Sequence, residues 1–78
     1  MLGLDRVTFD AGILGGKACI RGMRISVSLV LNLVANGMTA EEIISEYPDL
    51  EPEDIRQALK YAAWASDERV LPALEETA

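Results

Sequence analysis

Helix start and stop signals divide the middle of this chain into three short helices. Ser26 is a suitable N-cap for the first helix, and Gly37 suits the position just after its end. The sequence TAEE at residues 39–42 is a capping box that starts a second helix, which Pro48 stops. Pro52 fits the first turn of a third helix. Three short helices joined by tight turns predict a mainly α fold, and they form the minimal helix-turn-helix body.

The first helix, predicted over residues 26–36, is apolar on nearly every side. One stripe follows the helical spacing i, i+3, i+4, i+7; its members are Val27, Val30, Leu31 and Val34. A second stripe contains Leu29 and Leu33. A helix that is apolar all round is normally buried on more than one side, and a chain of 78 residues has only a small core. We therefore predict a homodimer, whose interface contains Leu29, Leu33 and the third-helix aromatic residues Tyr61 and Trp64.

The third helix has two distinct faces in the sequence. Its predicted buried stripe consists of Ile55, Ala58, Leu59, Ala62 and Ala63. On the opposite side lie Arg56, Gln57 and Lys60, whose side chains are of types that can reach base edges or phosphates. Charged helix faces are also commonly no more than solvated surface. Both interpretations of this face stay open at this point.

Residues 1–25 precede the helical body as a glycine-rich, basic segment. Val7 and Phe9 lie on one face of a predicted short strand, and residues 18–20 form a second strand after a bend at Gly15 and Gly16. The segment also carries three cations, namely Lys17, Arg21 and Arg24. One interpretation is a hairpin whose glycines only permit tight turns. The other is a short arm whose cations contact DNA phosphates or the edge of a groove.

The charge of the chain is distributed unevenly. Residues 1–24 carry four cations against two carboxylates, whereas residues 25–78 carry three cations against eleven carboxylates. Binding of nucleic acid through bulk charge is therefore disfavoured, and any DNA contact needs a local basic patch. The acidic body suits a basic partner protein instead.

The side-chain inventory argues against an enzyme. The chain has no histidine and a single cysteine, Cys19, so neither a histidine-based catalytic site nor a cysteine-based metal site can form. A phosphate-binding loop is also excluded, because only three residues separate Gly12 from Gly16 and Lys17 is followed by Ala18. We expect no cofactor and no metal. Without a signal peptide or a membrane-spanning apolar run, we expect a cytoplasmic protein without a membrane partner.

Several motifs in fixed order resemble one family of small prokaryotic proteins. They are IRGxRI at residues 20–25, GxTxEEI at 37–43, YPxL at 47–50 and EDI at 53–55. Together they cover most of residues 7–65 and resemble the "domain of unknown function 433" family. The chain departs from the usual family pattern at Ala18, where proline is common, and at Met23, where threonine is common.

The resemblance implies a homeodomain-like helix-turn-helix fold, often dimeric, similar to VapB antitoxins that neutralise PIN-like ribonuclease toxins. We therefore predict one domain with three parts: a basic arm (1–25), a helix-turn-helix body (26–66) and an acidic flexible tail (67–78). The predicted function is an antitoxin that binds operator DNA and a cognate PIN-like ribonuclease toxin. The predicted DNA contacts are Lys17, Arg21, Arg24, Arg56, Gln57 and Lys60. The alternative is a protein-interaction module of the same fold that binds no DNA.

Overall fold

Three helices preceded by a two-stranded antiparallel hairpin form the architecture, in a computed structural model that describes residues 3–66. The elements in chain order are β1 (Val7–Phe9), β2 (Ala18–Ile20), α1 (Val27–Ala35), α2 (Ala40–Glu46) and α3 (Pro52–Ala65). The predicted fold class, a mainly α body behind a short hairpin, is confirmed. The predicted tail lies outside the described residues.

The helix ends follow the local signals in the sequence. The Ser26 hydroxyl accepts a hydrogen bond from the Leu29 amide, and Gly37 adopts the positive φ of 91° that suits a residue after a helix end. At the start of α2, the Thr39 hydroxyl accepts from the Glu42 amide at 3.1 Å, and the Glu42 carboxylate accepts from the Thr39 amide at 2.8 Å. The predicted capping box is confirmed.

The hairpin is part of the hydrophobic core rather than a projecting arm. Its strands pair in the register Val7 with Ile20, Thr8 with Cys19 and Phe9 with Ala18. The core contains buried residues from the hairpin and from all three helices: Leu4, Val7, Ile20, Val27, Val30, Ile43, Leu50, Ile55 and Ala58. The predicted hairpin is confirmed, and it gains stability by burying Val7 and Ile20 against the helices, since an isolated two-stranded ribbon is marginal in water.

The buried face of α3 is rotated relative to the predicted stripe. Ile55 and Ala58 are buried as predicted, but Leu59 is 43% exposed. In its place Asp54 and Gln57 are buried, although both are polar. The segment that contains the hairpin provides hydrogen-bonding partners for these two side chains. The free energy gained by satisfying these polar groups exceeds the free energy that burial of one more leucine would give, so the helix packs in the rotated orientation.

Within residues 3–66, no helix is both long and apolar enough to cross a membrane.

Candidate functional site

The buried carboxylate of Asp54 is the centre of the polar contacts between α3 and the hairpin. Oδ1 accepts hydrogen bonds from Arg21 Nε at 2.9 Å and from Arg6 Nη1 at 3.1 Å. Oδ2 accepts from Arg21 Nη2 at 2.8 Å and from the Glu51 amide at 2.7 Å. The side chain of Asp54 is fully buried, and a carboxylate so far from water needs partners of this kind. We call Arg6, Arg21 and Asp54 the arginine clamp.

A tight turn directs Arg21 towards this carboxylate. The Met23 amide donates to the Ile20 carbonyl at 2.8 Å, and Arg21 and Gly22 between them have positive φ values of 46° and 71°. Glycine adopts this conformation freely, whereas an arginine does so only at an energetic cost. Arg21 Nη2 also donates to the Asp49 carbonyl at 2.6 Å. Arg21, which the sequence predicts as a DNA contact, is therefore held by bonds within the chain.

The arginine clamp keeps Asp54 ionised. Burial favours the neutral acid and by itself raises the pKa of Asp54. The hydrogen bonds from Arg21, the Glu51 amide and Arg6 act in the opposite direction and outweigh it, so the pKa lies below the ordinary value of 3.8. The clamp is therefore an ion-paired cluster at neutral pH, and it ties α3 to the hairpin.

Gln57 belongs to the same contact and does not lie on the exposed face of α3. Its side chain is 3% exposed. Oε1 accepts from the Arg6 amide at 2.9 Å, while Nε2 donates to Asp5 Oδ1 at 2.8 Å and to Glu53 Oε2 at 3.0 Å. The predicted exposed position is wrong because the hairpin presents one donor and one acceptor that match the carboxamide. Gln57 cannot reach a base edge from this position.

The exposed Arg56 is paired with its neighbour on the helix. Its Nε donates to Glu53 Oε1 at 2.7 Å and its Nη2 to Glu53 Oε2 at 2.5 Å. The hydrogen bond from Arg56 is the largest influence that lowers the pKa of Glu53 to about 2. An exposed pair of this kind adds little stability, but it reduces the positive charge that Arg56 offers to a phosphate.

Three of the predicted DNA-contact residues remain available on the surface. Lys17, Arg24 and Lys60 are exposed, and none of them forms an ion pair with another residue of the described range 3–66. The structure therefore separates the cations of the hairpin and α3 into two groups. Arg6, Arg21 and Arg56 are used within the chain, whereas the other three face solvent.

The lowered pKa values of Asp54 and Glu53 predict that the stability of the fold decreases in acid. Because Asp54 and Glu53 have lower pKa values in the folded chain than their ordinary 3.8 and 4.5, their ionised forms stabilise the fold above those values. We expect the free energy of unfolding to be constant above about pH 5 and to decrease as the pH falls from 4.5 towards 2. Urea titrations at a series of pH values measure this dependence. A free energy of unfolding that stays constant down to pH 2 would contradict it.

Three aromatic side chains form a partly exposed cluster around Tyr61, which lies one helical turn after Gln57 on α3. The rings of Phe9 and Tyr61 have centroids 6.0 Å apart, and those of Tyr61 and Trp64 are also 6.0 Å apart. Phe9 is 54% exposed and Trp64 is 50% exposed, whereas Tyr61 packs against the core. Large aromatic residues left this exposed are typical of binding surfaces.

An apolar groove adjoins this cluster at Tyr61. The groove has a volume of about 370 Å³ and is lined by Lys17, Ala18, Val27, Ser28, Leu31 and Tyr61. Apart from Lys17 and Ser28, its walls are apolar, and Lys17 contributes a positive charge. We call the groove together with Phe9 and Trp64 the aromatic surface.

The four predicted interface residues lie on two separate surfaces. Tyr61 and Trp64 belong to the aromatic surface, as does Leu31 of α1. Leu29 and Leu33 each lie two residues from Leu31, which places them about 200° away around the helix. They therefore lie on the side of α1 that faces away from the groove, where both are half-buried.

Sequence reasoning missed Arg6, Asp54 and Phe9. Asp54 was visible only as an acidic residue in the first turn of a helix, which is a common position for a carboxylate. Its partner Arg21 is 33 residues away in the chain. The sequence predicts a strand at Phe9, and the only signal that distinguishes this residue is the scarcity of aromatic residues, which make up 5% of the chain.

The part of the chain that the structure describes contains no group of three or more His, Cys, Asp or Glu side chains placed to hold a metal ion. Cys19 is buried. Among the described residues, the surface features are the apolar groove, the half-exposed aromatic rings and three cations without an ion pair.

Comparisons with known proteins give the chain a family. The family described as "Protein of unknown function (DUF433)" matches residues 7–62. The uncharacterized protein y4eO of Sinorhizobium fredii is 41% identical over 56 residues, which cover 72% of this chain. The chain spans only 25% of the length of that relative.

A solved structure has the same fold. The crystal structure of a DUF433 member protein from Anabaena variabilis matches with a TM-score of 0.72 at 30% sequence identity. The match covers 77% of this chain and 59% of that one. Since the family match extends from β1 into α3, it includes the hairpin, Arg21 and Asp54 of the arginine clamp, and Tyr61. This chain belongs to the DUF433 family.

Proposed function

We propose that this chain is a non-catalytic protein-interaction module that binds a segment of a partner protein on its aromatic surface. The observation that carries this proposal is the exposure of Phe9 and Trp64 beside an apolar groove. Aromatic side chains supply much of the binding free energy of protein interfaces when they become buried against a partner. Two half-exposed aromatic side chains are unfavourable for an isolated domain of this size. A partner that covers Phe9 and Trp64 explains their position.

The charges around the aromatic surface indicate the chemistry of the bound segment. Lys17 lines the groove, and Lys60 lies one helical turn before Trp64 on α3. Both are exposed and have no ion pair among residues 3–66. A segment with apolar side chains for the groove and carboxylates for these two lysines would complement the surface.

The family resemblance suggests a more specific role. In this proposal the chain is an antitoxin, and its partner is a PIN-like ribonuclease toxin. The exposed carboxylates of α2, at Glu41, Glu42 and Glu46, support the proposal because they make the surface of this helix acidic. A ribonuclease needs a basic surface for RNA, and an acidic face is suited to cover one.

Removal of the Trp64 ring should weaken partner binding strongly. The test uses the purified chain and the protein encoded by the neighbouring open reading frame, with affinity measured by isothermal titration calorimetry. We expect Trp64→Ala to weaken binding by roughly 30-fold or more, as for a central aromatic residue of an interface. Because Trp64 is half exposed, its loss should leave the fold intact, which circular dichroism checks.

Leu59→Ala is the matched control for this experiment. Leu59 is a similarly exposed apolar residue of the same helix, at 43%, but it lies five residues from Trp64 and about 140° away around the helix. Its replacement should change the affinity less than about threefold. Equal losses in both variants, or an unchanged affinity for Trp64→Ala, would contradict binding at the aromatic surface.

Operator DNA binding is the second candidate function. The observation in its favour is that Lys17, Arg24 and Lys60 are exposed and free of ion pairs within residues 3–66. The helix-turn-helix arrangement would place α3 in the major groove, but the start of α3 carries Glu51 and Glu53, which phosphates repel. A gel-shift assay with the DNA upstream of the gene, with and without the partner, distinguishes the two candidates. A shift that Lys17→Ala and Arg24→Ala abolish would support DNA binding.

A further inference from the structure

The loop that joins β1 to β2 holds a leucine in a backbone conformation that glycine normally occupies. Residues 14–16 form a tight turn, and their φ values are 49°, 69° and 88°. The second and third of these residues are glycines, which adopt a positive φ freely, but the first is Leu14. A leucine adopts this conformation only at an energetic cost. The turn alone therefore favours glycine over leucine at this position.

Contacts within the chain account for a similar backbone cost elsewhere, but not for the one at Leu14. Among residues 3–66, Leu14 and Arg21 are the two residues other than glycine that have a positive φ. The bonds from Arg21 to Asp54 and to the Asp49 carbonyl offset its cost. Leu14 belongs neither to the hydrophobic core nor to the partly buried residues that pack against it, and it is 38% exposed. The cost at Leu14 therefore has no comparable compensation among the described residues.

Hydrogen bonds order the loop around Leu14. The Ile13 amide donates to the Asp10 carbonyl at 2.9 Å, and the Gly12 amide donates to the Asp10 carboxylate at 2.8 Å. The Gly16 amide donates to the Ile13 carbonyl at 3.1 Å. A leucine on a loop that is already ordered loses little conformational freedom when a partner binds it.

The loop continues directly into the aromatic surface. Phe9 and Ala18 form the last cross-strand pair before the loop, and both belong to that surface. The Lys17 amide donates to the Leu14 carbonyl at 3.4 Å, which places the exposed lysine of the groove next to the leucine in the turn. A partner that covers Phe9 therefore also approaches Leu14 and the charge of Lys17.

We propose that Leu14 is a recognition residue that inserts into an apolar pocket of the partner protein, next to a partner carboxylate that pairs with Lys17. The inference rests on the proposed function, because it adds one contact to the same binding surface. Burial of an exposed leucine against a partner is favourable, so the backbone cost at Leu14 is offset in the complex. The partner feature that fits is an apolar cavity of leucine size with an acidic rim.

Leu14→Asn tests the inference, because it should change stability and partner binding in opposite directions. Asparagine tolerates a positive φ better than leucine does. We therefore expect the melting temperature of the full chain to rise by about 4 °C. The affinity for the protein encoded by the neighbouring open reading frame, measured by isothermal titration calorimetry, should fall by roughly tenfold.

Leu59→Asn is the matched control. Leu59 has a similar exposure of 43%, but it lies within α3, where the backbone is helical. Asparagine is a weaker helix former than leucine, so this variant should melt at a lower temperature than the parent chain. Its affinity for the partner should stay within about threefold of the parent value.

A Leu14→Asn chain that melts at or below the parent temperature would overturn the inference, since Leu14 would then support the fold. An unchanged affinity of this variant would also overturn it. If Leu14→Asn binds normally while Trp64→Ala binds weakly, the proposed function stands and only the inference fails. The reverse pattern would contradict binding at the aromatic surface and retain the contact at Leu14. A parent chain that does not bind the partner would overturn both.

Discussion

Replacement of Arg21 by methionine is expected to lower the free energy of unfolding by about 3 kcal/mol. The substitution removes both guanidinium hydrogen bonds to the fully buried Asp54 and the bond to the Asp49 carbonyl. Asp54 then keeps only Arg6 and the Glu51 amide as partners. We expect the loss of stability to lie at the low end of the range observed when a buried ion pair is broken. The reason is that these two partners remain and that the Arg21 side chain is itself 36% exposed.

Arg24→Met is the matched control for this prediction. Arg24 lies three residues further along the chain, is exposed and has no ion pair within residues 3–66. Its replacement should change the free energy of unfolding by less than about 0.5 kcal/mol. Urea denaturation followed by circular dichroism measures both variants. The Arg21 substitution should lower the urea midpoint by roughly 3 M, since a small domain loses about 1 kcal/mol of stability for each molar of urea.

A chain of this length is typically stable by only about 4–12 kcal/mol, so the predicted loss is a large share of the total. If Arg21→Met and Arg24→Met were equally stable, the arginine clamp would contribute nothing and Arg21 would be available for another role. Retained stability combined with a loss of DNA or partner binding would restore Arg21 as a contact residue.

Replacement of Gln57 by alanine is expected to lower the free energy of unfolding by about 2 kcal/mol. The carboxamide satisfies the Arg6 amide, and it also donates to Asp5 and Glu53. Without this side chain, the Arg6 amide loses its acceptor at a position where Gln57 is only 3% exposed to solvent. The substitution also leaves a cavity between α3 and the hairpin.

Lys60→Ala is the comparison for Gln57, since the two residues belong to the same predicted DNA-contact set on α3. Lys60 is exposed and has no ion pair among the described residues, so its removal should change stability by less than about 0.5 kcal/mol. Thermal denaturation of both variants provides the measurement. A Gln57→Ala chain as stable as the parent would show that the bonds to the hairpin are dispensable.

The comparison between Gln57 and Lys60 also shows the limit of helical periodicity. The spacing and polarity of both residues predict that they lie on the outer face of α3. Periodicity establishes which residues share a face, but it does not establish which face packs against the rest of the protein. Gln57 packs inward because Asp5 and Arg6 provide its partners, and these lie 52 and 51 residues away along the chain.

What the sequence determined by itself is local. Ser26, Thr39, Gly37 and Pro52 set the helix ends, because caps, turns and proline act on backbone groups within a few residues of themselves. The order of the motifs was likewise enough to identify the family.

Only the tertiary structure decided which cations and aromatic rings are free to act. The turn at Arg21 and Gly22 brings a guanidinium from the hairpin to a carboxylate of α3. The strand that contains Phe9 brings its ring to Tyr61. Each of these contacts joins residues that are distant in the sequence, and their pairing depends on how the elements share one core. The single sequence carries no local signal of that pairing, because the energy that stabilises it appears only when the elements are packed together.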